Sequence, residues 1–580
     1  MPLTAHVGAL GQQRAAHLLR RATFAPSVAD INTVASMDVS TAMAYLFQDN
    51  LPVVPAPLDE YGVDWSAPGY NGESDEVGYD TAFRAWLVGQ MIGNEVDPAF
   101  KASYSAREKI TFFYHVHFTT MVEKVGDIKA VYYQNQLFRM FAFDSGLNAV
   151  TSALPMNFKD LLKKVCVDNA MLVFLDGNLN VEGSPNENYA REMFELYAIG
   201  RGLENTLPPA TEPGDYIHYK ESDVQAAARV LSGFQIDDTF LTIDEDTMLP
   251  MGRPRGGDNA SAHDFDVKTF SERFDDTTLT PDLALPTGRE TALDEIDQMV
   301  EMIFSKREAA KFICRKLYRF FSYYKISEAI DLDIIEGMAD TFEINYSIQE
   351  VLEQLFSSAH FYEGLAGNTD DKFGSIIKSP LDLVCHSMGY LNLVLPDYTT
   401  ETLDYYNKLD NMLRQMELMG MTLYQPLEVA GYPAYHQFPI YNRNWISTNY
   451  LTRRYELIQV IIGMGDDDES MFDVDITAFI ANNYNAVASD AKSLITAIVQ
   501  DVYPMSNALT FDAAADDSSD LTAERLNYFL QAFLFDPQID ADPEAAWTFR
   551  WNNPVDPEVV NSQLSNLLNA ILQTPEFQLF

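Results

Sequence analysis

The residues from Asn186 to Glu195 carry three carboxylates, two carboxamides and one guanidinium beside an apolar stripe. At 3.6 residues per turn, Asn188, Glu192 and Glu195 share one helical face. Two carboxylates at i,i+3 can chelate a metal, or divide into an acid and a base where burial separates their pKa values. Glu192, Glu195 and Arg191 are therefore the candidate catalytic group, with Asn188 as a substrate contact. The same spacing also fits a structural network, because Glu187 and Glu195 each stand four residues from Arg191.

Histidines supply the other metal-ligand candidates. His117 falls on the apolar stripe of its helix, and His115 points to a different face, so at most one of them is a ligand and His117 is the choice. His263-Asp264 reads as a ligand with its carboxylate orienter, or as an Asp-stabilised turn. Mixed nitrogen and oxygen ligands suit zinc, manganese or iron. An all-oxygen site built on Asn188 and acids would suit calcium. Arg253-Pro254-Arg255-Gly256-Gly257 is a basic turn able to hold phosphate or sulfate, and Lys268 joins Arg253 and Arg255 as a substrate contact. The aromatic loop from Tyr424 to Trp445 offers a platform for sugar rings, or packs itself onto the body. The motifs HExxH, GxSxG, GxGxxG and the Walker glycine-lysine loop are absent, which argues against common zinc proteases, α/β-hydrolases, dinucleotide enzymes and P-loop NTPases.

Helices must position these groups, since helical periodicity dominates the chain. Ser184-Pro185-Asn186-Glu187 reads as a capping box with proline at the first helical position, and Gly200 can end that helix. Ser105-Ala106-Arg107-Glu108 reads as a second capping box, opening the helix that carries His117. The first helix spans about 11–22, and its Arg14, Arg20 and Arg21 are expected to pair with internal carboxylates. Further helices fit about 156–175, 222–231, 291–324, 346–358, 376–394, 402–419, 446–463, 487–503, 521–535 and 557–573. Residues 51–78 read as a loop. Residues 236–290 form the largest irregular segment, where short strands or a lid are expected. The acidic run Asp466-Asp467-Asp468-Glu469 lacks EF-hand spacing and reads as a solvated turn. The expected fold is mainly α, a large multi-helix domain over 1–460 with small inserted β segments and long loops, and a helical portion over 461–580 packed on it.

The 580 residues carry 85 acidic and 39 basic side chains, a net charge of −46. Such a field repels nucleic acid and anionic lipid heads and favours cations or a basic protein as partner, while the arginine turn and the aromatic loop point to an acidic carbohydrate. Three cysteines, Cys166, Cys314 and Cys385, lie far apart in apolar contexts and read as buried free thiols. No run reaches the roughly 18 apolar residues of a membrane span. The first residues lack a basic and apolar leader pattern, so a cytoplasmic protein is expected ahead of an exported one with its signal removed.

Several segments together carry a family resemblance. They are Arg14 to Phe24, Arg107-Glu108-Lys109 through His117-Phe118, Asn157-Phe158, Asp168 to Leu172 and Leu175 to Asn178. Asn186 to Gly200, Asp223 through Gly233, His263-Asp264 with Lys268, and Trp445-Ile446 before Arg453 complete the set. In order and spacing over about 10–460 the chain resembles the large bacterial family catalogued as domain of unknown function 1800. Tyr114, Phe234 and Gly431-Tyr432 stand where the family has tryptophan or Gly-Trp. The resemblance implies a bacterial, largely helical protein, often exported and encoded beside sulfatase-like proteins, with no established activity. From the residues, the expected function is a metal-assisted hydrolase with an interior Glu/His site acting on a carbohydrate. Its ligands are His117, His263 and Asp264, and the metal lowers the pKa of a bound water. The alternative is a non-catalytic helical scaffold whose polar motif is a buried network.

Overall fold

A computed structural model describes residues 3–67, 69–70, 78–93, 95–147, 156–210, 212–362, 376–464, 472, 474–504, 506, 508–514, 521–535, 541–553 and 556–580. Among them, α-helices far outnumber the strands, which form two antiparallel two-stranded sheets, so the fold is mainly α. The sheets pair Phe234–Gln235 with Arg253–Pro254 and Lys268–Thr269 with Thr278–Leu279, both within or beside the irregular segment. The expected turn at Asp466–Glu469 lies outside the described residues.

The helix Pro98–His117 runs through the core. Asp97 caps it by accepting the Ala99 N–H, and Pro98 occupies its first turn, where no N–H is needed. Every residue from Ala102 to His117 is buried, the mark of a helix surrounded on all sides. Its charges are matched internally. Glu108 accepts from Arg139 Nε at 2.8 Å and Nη2 at 2.6 Å, and Lys109 pairs with Asp382. The expected capping box at Ser105–Glu108 does not form, because Asp97-Pro98 has already started the helix. The Ser105 hydroxyl instead donates to the Met91 carbonyl and accepts the Phe24 N–H.

The first helix, Gly11–Ala22, matches its expected span. Its arginines answer carbonyls rather than carboxylates. Arg20 donates to the carbonyls of Asp501 (2.8 Å) and Tyr503 (3.2 Å), at the end of helix Ala491–Val502. Arg21 donates to those of Phe321 and Ser322, at the end of helix Arg307–Phe321. Helix C-termini offer carbonyls without internal partners and a partial negative charge, which suits a buried guanidinium.

Other boundaries also moved. Asp168 caps a separate helix Asn169–Phe174 after Phe158–Val165, dividing the expected 156–175 helix. Gly288–Phe304 and Arg307–Phe321 divide the expected 291–324 helix. Ile476–Tyr484 and Pro543–Asn552 are helices that periodicity missed. Contacts cross the boundary expected near residue 460: Gly11–Ala22 packs on Ala491–Val502, and Thr448–Ile462 on Pro557–Leu572. The Lys378 N–H bonds the Gln578 carbonyl and the Phe580 N–H bonds the Ile376 carbonyl, at 2.9 Å each. All three cysteines are buried and free. No helix among the described residues is long and apolar enough to cross a membrane.

Candidate functional site

The polar helix that carries Arg191 and Glu192 starts later than expected. Ser184 closes a turn with Val181, and Asn186 becomes the cap, accepting the Asn188 N–H at 3.0 Å. The helix spans Glu187–Glu192 and then widens into a π-helical turn, Met193–Ala198. The N–H groups of Ile199 and Gly200 converge on the Phe194 carbonyl at 3.2 and 2.8 Å. Gly200 ends the turn at φ +65°, and a Cβ there would lie 2.4 Å from the Phe312 ring. Only glycine lets this turn approach helix Arg307–Phe321 so closely.

That approach forms one wall of a cavity of about 460 Å³. Lys109, Phe113 and His117 of the core helix line it, as do Glu195, Arg201 and Glu204 from the π-turn and the loop after it. Helix Arg307–Phe321 contributes Phe312, Arg315, Lys316, Arg319 and Phe320, four of them at i, i+4, i+7 and i+8. Tyr435, Tyr441 and Trp445 close it from the late aromatic loop, and the Phe580 ring reaches it from the last residue. The aromatic loop thus packs onto the body, with Tyr435 stacked on Phe320 at 5.4 Å between ring centroids.

The lining carries six cations, including Arg21, against three carboxylates, Glu195, Glu204 and Asp382. In a chain of net charge −46, this is a local reversal of sign. Nearly all the cations are satisfied. Arg201 meets Glu195 at 2.6 Å. Arg319 pairs with Glu204, which also accepts from Tyr441 Oη at 3.1 Å. Arg315 meets Asp331 at 2.6 Å and pairs with Glu308. Lys316 is the exception: among the described residues it makes no hydrogen bond and no ion pair, and its Nζ stands 5.2 Å from the Phe312 ring centroid. Loss of water and the neighbouring Arg319 charge pull its pKa down to about 8, against a smaller upward pull from Glu204. Burial, reinforced by the Lys316 charge, holds the His117 imidazole well below the usual histidine range, so it is neutral. His117 Nε2–H donates to the Tyr197 carbonyl at 2.9 Å, while Nδ1 has no partner among the described residues.

The expected site residues are dispersed. Only His117 and Glu195 line the cavity. Glu192 stands next to Glu195 without a hydrogen bond among the described residues, and burial followed by the Glu195 charge raises its pKa. Arg191 turns away to Glu221 at 2.6 Å and Glu187 at 3.2 Å. Asn188 donates to the Leu175 carbonyl at 3.2 Å.

His263 faces the Ser232 carbonyl through Nδ1 at 2.8 Å and Glu295 through Nε2 at 2.7 Å. Lys268 donates to the same fully buried Glu295 at 2.5 Å, and Asp264 holds Arg229 at 2.7 Å. These bonds pin the irregular segment to helices Glu221–Val230 and Gly288–Phe304. Arg255 donates to the Asn178 carbonyl at 2.5 Å, and Arg253 is exposed in its short strand. Among the described residues, no group of three or more His, Cys, Asp or Glu side chains is placed to hold a metal ion.

Lys109, Arg315, Lys316 and Arg319 were not singled out from the sequence. For the last three the signal was the cation-aromatic stripe on helix Arg307–Phe321, legible at helical spacing.

The family model described as "Protein of unknown function (DUF1800)" matches residues 17–579, nearly the whole chain. Comparison with curated proteins and with solved structures gives no match.

Proposed function

We propose that this chain, which belongs to the DUF1800 family of proteins of unknown function, binds an organic anion with a ring or apolar chain in the cavity beside Lys316. The observation that carries this reading is the unpaired Lys316 ammonium in a wall whose other cations already have partners. A desolvated cation gains most from a ligand that brings the missing counter-charge. The aromatic rings around it suit the apolar body of such a ligand, and about 460 Å³ lies within the range of small-molecule sites. The −46 field keeps large polyanions away and leaves a small one as the fitting guest.

Metal-assisted hydrolysis would require Glu192, Glu195, His117 and His263 around one ion. Of these, His117 and Glu195 share the cavity wall, while His263 is committed to Glu295 and Ser232. Anion binding needs no such convergence.

The test is a calorimetric titration with 1-anilinonaphthalene-8-sulfonate and with its uncharged analogue, N-phenyl-1-naphthylamine. One site is expected for the sulfonate, with affinity roughly tenfold or more above the neutral compound. Lys316→Met should erase that difference. Equal affinities in the parent protein, or a preference that survives Lys316→Met, would refute the proposal.

A further inference from the structure

Lys316 differs from the other cations of the cavity in chemistry as well as in pairing. Arginines stay protonated under any condition a protein meets and cannot act as nucleophiles. Lys109, the other amine, is committed to Asp382 and lies 4.3 Å from the Phe24 ring centroid. Lys316 projects from the middle of helix Arg307–Phe321 over Phe312, with Arg319 on the same helix opposing a further positive charge. The elements facing it bring His117 from the core helix, Glu195, Arg201 and Glu204 from the π-turn and the loop after it, and His436 from the late loop. Both imidazoles have their pKa lowered by burial and by the Lys316 charge itself. A lysine in an apolar wall, crowded by other cations and without a counter-ion, keeps a usable fraction of free amine near neutral pH.

We infer that Lys316 is a carbonyl-trapping amine, forming an imine with an aldehyde or ketone that also carries an anionic group and a ring or apolar chain. This rests on the anion-binding reading, since the ammonium form of Lys316 draws the anionic group into the cavity and the free-amine fraction then meets its carbonyl. The step balances without any oxidant or reductant. The Nζ lone pair attacks the carbonyl carbon, and the carbonyl oxygen takes up a proton to give a carbinolamine. Loss of that oxygen as water leaves the carbon–nitrogen double bond. The cavity carboxylates Glu195 and Glu204 are the acid-base groups on hand to pass those protons.

Pyridoxal 5′-phosphate combines an aldehyde, a phosphate and an aromatic ring, and serves as the probe. The intact protein is incubated with it and treated with sodium borohydride, which delivers hydride to the imine and fixes it as a secondary amine. Peptide mass spectrometry then locates the adduct. Preferential labelling of Lys316 is expected, with a rate that rises up to about pH 8 and levels off above it. Lys316→Arg, checked for fold by near-ultraviolet circular dichroism, should give no adduct at that position, with labelling of the other lysines unchanged.

Pyridoxine 5′-phosphate, with an alcohol in place of the aldehyde, separates the two ideas. If it binds by calorimetry but the aldehyde leaves no preferential adduct on Lys316, the amine inference is overturned and anion binding stands. If neither compound binds, both fall.

Discussion

An unpaired, desolvated ammonium costs a protein stability, and the cost at Lys316 can be measured by removing it. Lys316→Met keeps an unbranched side chain of similar length and deletes the charge. The lysine pKa falls from 10.5 to about 8 in the folded protein. Each pH unit corresponds to ~1.4 kcal/mol, so the penalty at neutral pH is roughly 3 kcal/mol at most. Partial exposure of the side chain brings the expectation to about 1–3 kcal/mol.

The sign follows from proton counts. Between pH 8 and 10.5 the unfolded chain holds the proton that the folded protein has lost, so stability rises with pH across that window. Below it the whole penalty is present. The methionine variant should therefore resist urea better than the parent at about pH 7, and its advantage should shrink by more than half by about pH 9.5. The same variant should lose its preference for the aromatic sulfonate, a gain in stability set against a loss of binding. A variant less stable than the parent at both pH values would mean that the ammonium is held by the fold, and the reasoning about a free amine would fail.

Two further outcomes test buried charges outside the cavity wall. Glu108→Ala leaves the Arg139 guanidinium, which has no solvent exposure, without its carboxylate, and should cost about 3–5 kcal/mol in urea denaturation. Adding Arg139→Met should restore a large part of that loss, whereas an unperturbed single variant would contradict the pairing. Asp168 caps helix Asn169–Phe174, and burial pushes its carboxyl up to about 7 despite bonds from the Met171 N–H and Gln134. A carboxyl raised above its unfolded value of 3.8 loses stability as pH climbs through the folded value. Asp168→Asn, still able to cap, should be the more stable protein above about pH 7 by roughly 2–4 kcal/mol and lose that margin by about pH 4. A margin independent of pH would refute the assignment.

Sequence periodicity captured what depends on near neighbours. The first helix, the end at Gly200 and the buried thiols follow from spacing and local composition. The signals that failed were also local, but they were decided elsewhere. Ser105-Ala106-Arg107-Glu108 has the letters of a helix start, yet Glu108 is held by Arg139, 31 residues away, inside a helix that Asp97 had begun. Arg20 and Arg21 looked like partners for acids because the chain is rich in them. Their partners are the carbonyl ends of two helices roughly 300 and 480 residues further on, positions that only the tertiary fold reveals. The cavity suffered the same fate: three of its six cations come from one helix given only a span, and its character depends on which of them lacks a partner.

The dense polar motif gains a role from this geometry that neither catalysis nor solvation describes. Asn188 ties the helix to the Leu175 carbonyl, Tyr189 ties it to the Val165 carbonyl at 2.8 Å, and Arg191 ties it to Glu221. The π-turn from Met193 to Ala198 follows directly after these three anchors. A π-turn inserts a residue into the helical register and re-aims the side chains after it. Here it directs Glu195 to the cavity, where it holds Arg201, and brings Gly200 against Phe312 beneath the Lys316 amine. Arg191, Glu187 and Asn188 are the mount that sets this turn against the helix carrying Lys316.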